Sequence, residues 1–432
     1  MYLESLALDH FRNYERLRAG FEAGVVVLQG ENAQGKTNLL EAVYMLATTK
    51  SSRARTDAEL ISWQASAAAN PLAPHTFARI EARVRRAAGA ADVQILIRDT
   101  PALISASDDD EGLLPTPPAK LPKRFKLNGV VRRAGEMLGQ VTAVFFAPTD
   151  VEIVSGSPHL RRRYLDITLC QLSQSYYRAL QTYNRAISQR NALLRQVRDG
   201  RQPLETLDYW DELLLDNGAH LIEQRHHAVT ALSREAAATH TRLSGGREAL
   251  QVVYRPALGD AAAVLTTADG PPVGLRAAFA AEMARVRRRE IAQGVSLLGP
   301  HRDDLCFLAN DVDMTSYGSR GQQRTVALAI KMAELDFMRS ASGEGPILLL
   351  DDATSELDEV RRRAILDLAR REEQVFITTA DPAHLAPLLS SGAQRYSVSN
   401  GHLALLTRSE ALYELAEAPE RRVAEPPAIP LS

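Results

Sequence analysis

The chain has 432 residues, 45% of them apolar and 24% charged, a composition typical of a globular protein with a substantial core. At roughly 150 residues per domain, this length predicts two or three structural units. The formal charge of −2 excludes a uniformly basic nucleic-acid coat, so contact with phosphates requires local clusters. Because six of the 51 basic residues are lysines, such clusters consist mainly of arginine.

Cysteine content and hydropathy restrict the compartment. Cys170 and Cys306 lie far apart and outside any CxxC pattern, which argues against a disulfide framework, a zinc ribbon or secretion. The amino terminus mixes charged and apolar residues, and no stretch approaches the ~18 consecutive apolar residues of a membrane span. We therefore expect a cytoplasmic protein with no membrane partner.

The first part of the chain has the pattern of strands around one helix. Residues 2–8 alternate with period two, and 25–28 form a continuous apolar run typical of a strand buried on both faces. Apolar residues at helical spacing predict a helix over 37–48. Alternation across 77–97 predicts an antiparallel sheet, whereas the acidic, proline-rich residues 99–123 predict a surface loop.

The second part combines a helical arm with further α/β structure. An apolar stripe between 158 and about 243, broken by a polar turn at 199–203, predicts two helices in an antiparallel hairpin rather than a long coiled coil. After a mixed region the pattern alternates again. It predicts helices at 322–339 and 359–371, with strands at 347–350 and 375–379.

A glycine-rich segment between the predicted strand 25–28 and the predicted helix 37–48 fits G-x-x-x-x-G-K-[ST] in full. In such a P-loop, backbone N–H groups surround phosphates, the lysine contacts the β- and γ-phosphates, and the last hydroxyl binds Mg²⁺. The segment therefore predicts binding of ATP and Mg²⁺, with Thr37 as a metal ligand. The predicted nucleotide-binding residues are Gly30, Glu31, Asn32, Ala33, Gln34, Gly35, Lys36 and Thr37.

Two carboxylates follow the apolar run at 347–350, which is typical of the Walker B strand that accompanies a P-loop. Asp351 is the predicted second metal ligand. Asp352 is the predicted catalytic residue, because it can orient or deprotonate the attacking water.

A polar turn before the predicted helix 322–339 offers free N–H groups and a serine hydroxyl, which together form a second anion site. One nucleotide rarely needs two such helix ends. We therefore expect the turn to complete the ATP site of a second subunit, as the signature of ABC-type ATPases does; a simple serine N-cap is the alternative. The signature residues are Ser319, Arg320, Gly321 and Gln322, and Ser355 and Asp358 resemble a D-loop.

Six blocks resemble the RecF family of bacterial DNA replication and repair ATPases, and they follow the family's order: residues 11–14, 30–42, 145–166, 299–305, 318–325 and 348–358. The resemblance implies an α/β fold, namely a P-loop ABC-type ATPase head, similar to SMC heads, with an antiparallel β subregion and a helical arm lobe. The implied domains are the N-terminal half of the ATPase lobe (1–157), the hairpin arm (158–245), the C-terminal half of the ATPase lobe (246–415) and a flexible tail (416–432).

The resemblance also implies a function. It predicts an ATP-dependent homodimer that binds double-stranded DNA or single/double-strand junctions without sequence specificity and helps to load recombinase at gaps together with RecR and RecO. The chain departs from the expected pattern in two places: Ala380 replaces the switch histidine, and the insertion at 99–123 has no counterpart. Gln140 is a candidate for the Q-loop glutamine. The missing histidine predicts a slow ATPase, and the resemblance implies that the ATPase is used as a switch and stimulated by DNA.

Clustered cations are needed for DNA contact by a chain of net charge −2. The predicted DNA-binding cluster is Arg161, Arg162 and Arg163, which can instead brace the arm against the head; further arginines lie within 285–289 and 361–363. Each cluster can also be a solvated helix face. The turn 301–304 contains histidine and two aspartates but predicts structural hydrogen bonds, since adjacent residues seldom converge on one metal ion.

Two other classes of function remain open from the residues. A transporter-type ABC ATPase subunit would have its signature close to Walker A and would carry the switch histidine. An SMC-like structural organiser of DNA would need a coiled coil many times longer than the predicted hairpin.

Overall fold

The structure is a computed structural model that describes residues 1–62, 77–98, 123–265, 274–352, 358–389 and 392–406. The predicted loop at 99–123, apart from Lys123, and the predicted tail at 416–432 lie outside these ranges, as does Ser355. In the described ranges no helix combines the length and the hydropathy needed to cross a membrane.

The strands of the described residues fall into three sheets. In chain order they are β1 (Tyr2–Phe11), β2 (Tyr14–Gly20), β3 (Gly24–Gln29), β4 (Phe77–Arg86), β5 (Gly89–Arg98), β6 (Lys123–Leu127), β7 (Val130–Arg132), β8 (Ala143–Phe146), β9 (Leu250–Arg255), β10 (Asp304–Ala309), β11 (Val312–Asp313), β12 (Ile347–Asp351), β13 (Gln374–Thr379), β14 (Gln394–Ser399) and β15 (His402–Leu405).

The α-helices of the same residues range from single turns to one of 37 residues. In chain order they are α1 (Lys36–Thr48), α2 (Ala134–Met137), α3 (Glu152–Ser155), α4 (Pro158–Leu172), α5 (Gln174–Arg198), α6 (Asp208–Ser244), α7 (Leu275–Gln293), α8 (Arg320–Ser342), α9 (Glu359–Ala369) and α10 (Ala386–Leu389).

The first sheet has the order β15-β14-β3-β13-β12-β8, and every neighbouring pair is parallel except the β14–β15 hairpin. The strands β12 and β13 are buried along almost their whole length, as strands covered on both faces must be. Because β3, β12 and β13 are parallel, their carboxyl ends share one edge of the sheet. The P-loop and the Walker B carboxylates follow those ends, so we call this edge the nucleotide edge.

The second sheet, β2-β1-β4-β5-β6-β7, is antiparallel throughout, which confirms the antiparallel sheet expected from the alternation across 77–97. Helix α1 lies between the two sheets. Its apolar residues Leu39, Leu40 and Val43 are fully buried, in one core with Leu6 of β1 and Val26 of β3. This packing fixes the helix that follows the P-loop.

The helical arm differs from its prediction in one respect. The predicted polar turn is confirmed, because α5 ends at Arg198 and α6 begins at Asp208. The first limb is not one helix, since Ser173 takes extended backbone (φ −137°) and its side chain caps α5 by accepting from Tyr176 N. Helix α7, which lies beyond the predicted arm in the chain, packs against α5 and α6 and was hidden in the mixed region of the sequence.

A buried arginine holds the arm on the ATPase lobe. Arg225 of α6, 2% exposed, donates to Asp303 Oδ2 (3.0 Å), Asp166 Oδ1 (2.8 Å) and the Pro300 carbonyl (2.6 Å). Asp303 Oδ1 also accepts from Ala257 N (2.8 Å). These bonds confirm the structural role predicted for the turn 301–304.

Candidate nucleotide site and the signature turn

The P-loop connects β3 to α1, and the close approach of neighbouring atoms explains two of its glycines. A Cβ on Gly30 would lie 2.3 Å from the carbonyl oxygen of Val398. A Cβ on Gly35, where φ is 114°, would lie 2.5 Å from Asn13 Nδ2. Side chains at either position would therefore displace the loop from its supports.

Two neighbouring turns brace the P-loop through hydrogen bonds. Asn13 Nδ2 donates to the Gln34 carbonyl (2.9 Å), and the Tyr14 hydroxyl donates to the Gly35 carbonyl (3.0 Å). From the β14–β15 turn, Gly401 N donates to the same Gln34 carbonyl (3.1 Å). Sequence reasoning assigned no role to Asn13 or Tyr14, because a polar turn gives no signal of which distant carbonyls it will reach.

The Lys36 ammonium lies within the loop. Its Nζ donates to the carbonyls of Gly30 (2.5 Å) and Glu31 (2.7 Å). Burial lowers its pKa, and the nearby carboxylates of Asp352 and Asp351 oppose this effect.

The two predicted metal ligands meet at the nucleotide edge. Thr37 Oγ1 donates to Asp351 Oδ1 at 2.8 Å, although the residues are 314 positions apart in the chain. Thr378 Oγ1, at the end of β13, donates to the same carboxylate oxygen at 2.9 Å. A hydroxyl and a carboxylate oxygen are the hard ligands that Mg²⁺ prefers, so the residues present fit the ion.

Asp352 lies beside this pair and takes a left-handed backbone (φ 49°), with its N donating to Thr378 Oγ1 (2.9 Å). It lines a cavity of about 70 Å³ together with Asp150 and Lys331. Burial raises the pKa of Asp150 to about 6. Asp150 follows β8, the neighbour of the Walker B strand, and sequence reasoning missed it because it belongs to no nucleotide pattern.

The structure corrects the Q-loop candidate. Gln140 precedes β8, where its Oε1 accepts from Arg86 Nη1 (3.3 Å). Since β8 is parallel to β12, its start lies at the edge opposite Asp351, and Gln140 is wrong as a Q-loop residue. The short helical segment Pro148–Val151 follows β8 on the nucleotide edge instead. Ala380 directly follows β13 and is exposed.

The signature turn caps α8. Ser319 Oγ accepts from Gln322 N (3.3 Å), and Gln322 Oε1 accepts from Ser319 N (2.9 Å), a reciprocal capping box. Gln322 Nε2 also donates to Glu248 Oε1 (2.8 Å). Gly321 is exposed, and a Cβ built there would meet nothing within 4 Å, so this chain does not itself require a glycine at that position.

Of the two predicted D-loop residues, the structure describes Asp358. Asp358 caps α9 by accepting from Arg361 N (2.9 Å). The Arg361 guanidinium reaches α8, where its Nε donates to Thr325 Oγ1 (3.1 Å). The end of the D-loop is thereby linked to the first turns of the signature helix.

The first arginine cluster separates into three environments. Arg161 is 4% exposed and forms a bidentate ion pair with Asp304 (2.6 and 2.9 Å). Arg162 is half-buried, with Nη1 donating to the Asp303 carbonyl (2.7 Å), whereas Arg163 is exposed. This corrects the expectation for Arg161, because a buried, paired guanidinium braces the arm and is not available to DNA phosphates.

A parallel sheet with a P-loop and Walker B carboxylates at one edge, flanked by an antiparallel sheet and a signature helix, defines an ABC-type ATPase head. The family model described as the RecF/RecN/SMC N terminal domain matches residues 2–390. The chain is 39% identical over 408 residues to the DNA replication and repair protein RecF of Roseiflexus castenholzii, covering 93% of this chain and 99% of that protein. The RecF protein of Chloroflexus aggregans is 41% identical over 408 residues, with the same coverage. The chain belongs to the RecF family.

Solved structures agree with this assignment. A structure of the recombination mediator protein RecF with ATP in the RecFOR pathway superposes with a TM-score of 0.77 at 27% identity, covering 94% of this chain and 98% of that one. An SMC head bound to the C-winged helix domain of ScpA gives a TM-score of 0.50 at 15% identity, with 96% and 100% covered. This second likeness concerns the fold alone.

Proposed function

We propose that the protein is an ATP-driven switch of recombinational DNA repair and replication. The observation that carries the proposal is the contact between Thr37 and Asp351, which places two hard oxygen ligands beside a fully formed P-loop. Residues 30–37 bind the phosphates of ATP, and Thr37 and Asp351 hold Mg²⁺, which neutralises charge on the phosphates. Asp352 orients or deprotonates the attacking water.

The second half of the ATP site comes from another copy of the chain. Ser319, Arg320 and Gly321 of the signature turn are exposed, and Gly321 leaves room for an approaching phosphate. Within the chain, Gln322 contacts Glu248. ATP therefore closes a homodimer, and hydrolysis reopens it.

DNA and protein partners follow from the family. The relatives at 39–41% identity are DNA replication and repair proteins, and a solved relative is a recombination mediator of the RecFOR pathway. We extend from them to this chain the binding of double-stranded or junction DNA, association with RecR and RecO, loading of recombinase at gaps and a cytoplasmic location. Ala380 at the switch position supports a slow ATPase, and we extend stimulation by DNA to this chain as part of the same proposal.

The domain assignment belongs to the same proposal. Residues 1–157 and 246–415 form the ATPase lobe, 158–245 form the arm, and 416–432 form the tail. The longest arm helix, α6, spans about 55 Å at ~1.5 Å per residue. It packs along α5, α8 and β9. A helix held this way favours a repair switch over an SMC-like organiser with a projecting coiled coil.

Sedimentation with and without ATP tests the switch. Asp352→Asn keeps the shape and the metal ligand Asp351 but removes the water-activating group, so it should bind ATP, hydrolyse little and accumulate as a dimer. Ser319→Arg should still bind ATP and remain monomeric, because a bulky cation replaces the hydroxyl that faces the partner's nucleotide. If Ser319→Arg dimerises normally, or Asp352→Asn stays monomeric in ATP, the sandwich model is wrong.

A further inference from the structure

A cleft of about 470 Å³ opens where the arm meets the ATPase lobe. Its walls come from the carboxyl end of α1, from α4 and α5 of the arm, and from the turn at 300–301. Helix α1 is 13 residues long, so the cleft lies about 20 Å from the P-loop at the other end of that helix. We call this cavity the junction cleft; it has the volume of a small-molecule site.

The lining of the junction cleft is strongly cationic. Lys50 and Arg163 are exposed at its mouth, and Arg162 and Arg225 lie deeper. The carboxylate that faces them is Asp166, which already accepts from Arg225 (2.8 Å) and from a tyrosine hydroxyl. The cleft therefore favours an anionic ligand.

The two cations at the mouth differ from most arginines of the other two basic clusters. Arg285 pairs with Glu282, Arg287 with Asp208, Arg361 with Asp358, and Arg362 and Arg363 with Glu359. Across the described ranges, by contrast, no ion pair is recorded for Lys50 or Arg163. These two side chains can contact a phosphate without breaking an existing ion pair.

The interior of the cleft is apolar and aromatic. Tyr177, Leu180 and Ile167 line it, together with Tyr44. Tyr177 is half-buried, so that ring remains partly accessible from the cleft. Aromatic rings beside unpaired cations are the combination that holds a base by stacking and its phosphate by charge.

We propose that the junction cleft binds a phosphorylated nucleotide, with the phosphate at Lys50 and Arg163 and the base against Tyr177. The nucleotide is either an unpaired unit of a DNA strand at a junction or a free mononucleotide. The first source rests on the DNA binding proposed above and gives it a location. The site is separate from the ATP site, so the two can be tested independently.

Charge reversal at the mouth tests the phosphate contact. The double variant Lys50→Glu/Arg163→Glu is compared with Arg288→Glu/Arg289→Glu, which changes the net charge equally on exposed arginines of α7 outside the cleft. Anisotropy of a labelled duplex with a single-stranded overhang is measured across salt concentrations. We expect the cleft variant to bind at least about tenfold more weakly and its salt slope to fall by about 0.7, the value for one lost phosphate contact on a single strand, while the control keeps the wild-type slope.

Photocrosslinking tests the base contact. The probe is the same junction with iododeoxyuridine at the first unpaired nucleotide. The expected crosslink is to Tyr177, identified by mass spectrometry, and Tyr177→Leu should lose it while Tyr177→Phe retains affinity. A parallel experiment measures the binding of free thymidine monophosphate to Lys36→Ala, in which the P-loop is disabled.

The outcomes distinguish a DNA nucleotide from a free mononucleotide, and they test the cleft proposal separately from the proposed function. Junction crosslinking at Tyr177 with cleft-dependent affinity supports a DNA nucleotide. Wild type that binds no DNA overturns the proposed function, and the cleft proposal then stands only if thymidine monophosphate binds and Lys50→Glu/Arg163→Glu abolishes that binding. The cleft proposal is overturned when the cleft variant binds both probes like wild type. It is equally overturned when the α7 control loses as much affinity as the cleft variant.

Discussion

The nucleotide edge and the start of the arm show opposite relations between distance in the sequence and distance in space. At the nucleotide edge, Thr37 and Asp351 lie 314 residues apart and are joined by a 2.8 Å hydrogen bond. At the start of the arm, three consecutive arginines diverge into a buried ion pair, a half-buried backbone contact and solvent. Successive helix residues point about 100° apart, so adjacency on a helix separates side chains, whereas parallel strand ends bring distant ones together.

This difference shows which sequence patterns predict where a side chain lies in the structure. A P-loop specifies backbone conformation, because its glycines permit contacts that a Cβ would block, and backbone conformation fixes its polar groups. A run of arginines specifies charge only. Its members acquire roles from partners elsewhere in the chain, as Arg161 does from Asp304.

Lys36→Ala is the largest expected effect and tests the nucleotide edge. The phosphates would lose a charged donor while the backbone cradle remains, which costs about 3 kcal/mol and weakens ATP binding roughly 100-fold. Titration with a fluorescent ATP analogue measures it. Lys126→Ala, the same change at an exposed lysine of β6, is the control and should bind ATP like wild type. A wild-type affinity in Lys36→Ala would remove the P-loop from the ATP site.

Arg161→Ala tests the buried side of the arginine cluster. It leaves Asp304 without its bidentate partner, and because that carboxylate is 33% exposed we expect the lower end of the range for a broken buried pair, about 3 kcal/mol of unfolding free energy. Arg163→Ala should change stability by less than about 0.5 kcal/mol. Denaturant titration measures both, and equal stabilities would contradict the assigned difference.

The same pair of arginines explains why a triple replacement is a poor test of DNA binding. Changing Arg161, Arg162 and Arg163 together to Glu places a negative charge beside the carboxylate of Asp304 and loosens the arm. Weaker DNA binding would then follow from unfolding alone. Arg163→Glu by itself keeps the brace. A flatter salt dependence in that single variant would locate a phosphate contact at Arg163.

His301 gives a pH test of the contact between arm and head. Burial, together with the charges of Arg302 and Arg162, lowers its pKa to about 4, and its Nδ1 lies 2.7 Å from the Tyr183 hydroxyl. The unfolded chain takes up a proton near pH 6.5 and the folded chain does not. The unfolding free energy should therefore fall as pH falls, by about 2 kcal/mol from roughly pH 7.5 to pH 5.

Urea unfolding at several pH values measures this dependence. His301→Gln, which cannot titrate, should show a shallower loss of stability over the same window. His159→Gln on the exposed face of α4 is the control and should follow wild type. An unchanged slope in His301→Gln would show that other groups set the acid sensitivity.

Much of the head was predictable, because strands buried on both faces and a P-loop leave strong local patterns. The strands β3, β12 and β13 and the helix α1 lie within a residue or two of the predicted bounds. The rest depended on tertiary partners. The break at Ser173 lies within an uninterrupted apolar stripe, and Asn13 acts through carbonyls it reaches only after the sheets have assembled.

Ser319 gives a small expected change in stability and the sharpest decision about the signature turn. Ser319→Ala removes the cap of α8 and should cost about 1 kcal/mol of unfolding free energy, whereas Ser319→Asp keeps a capping oxygen and should cost only a few tenths.

If the turn is only a helix cap, Ser319→Asp should dimerise in ATP better than Ser319→Ala, in the same order as their stabilities. If it faces the partner's γ-phosphate, the order reverses: alanine loses one hydrogen bond, while aspartate places a carboxylate against a phosphate and prevents closure. Sedimentation in ATP on the Asp352→Asn background, set beside denaturant titrations without nucleotide, distinguishes the two orders, because a cap alone cannot make the better-capped variant the weaker dimer.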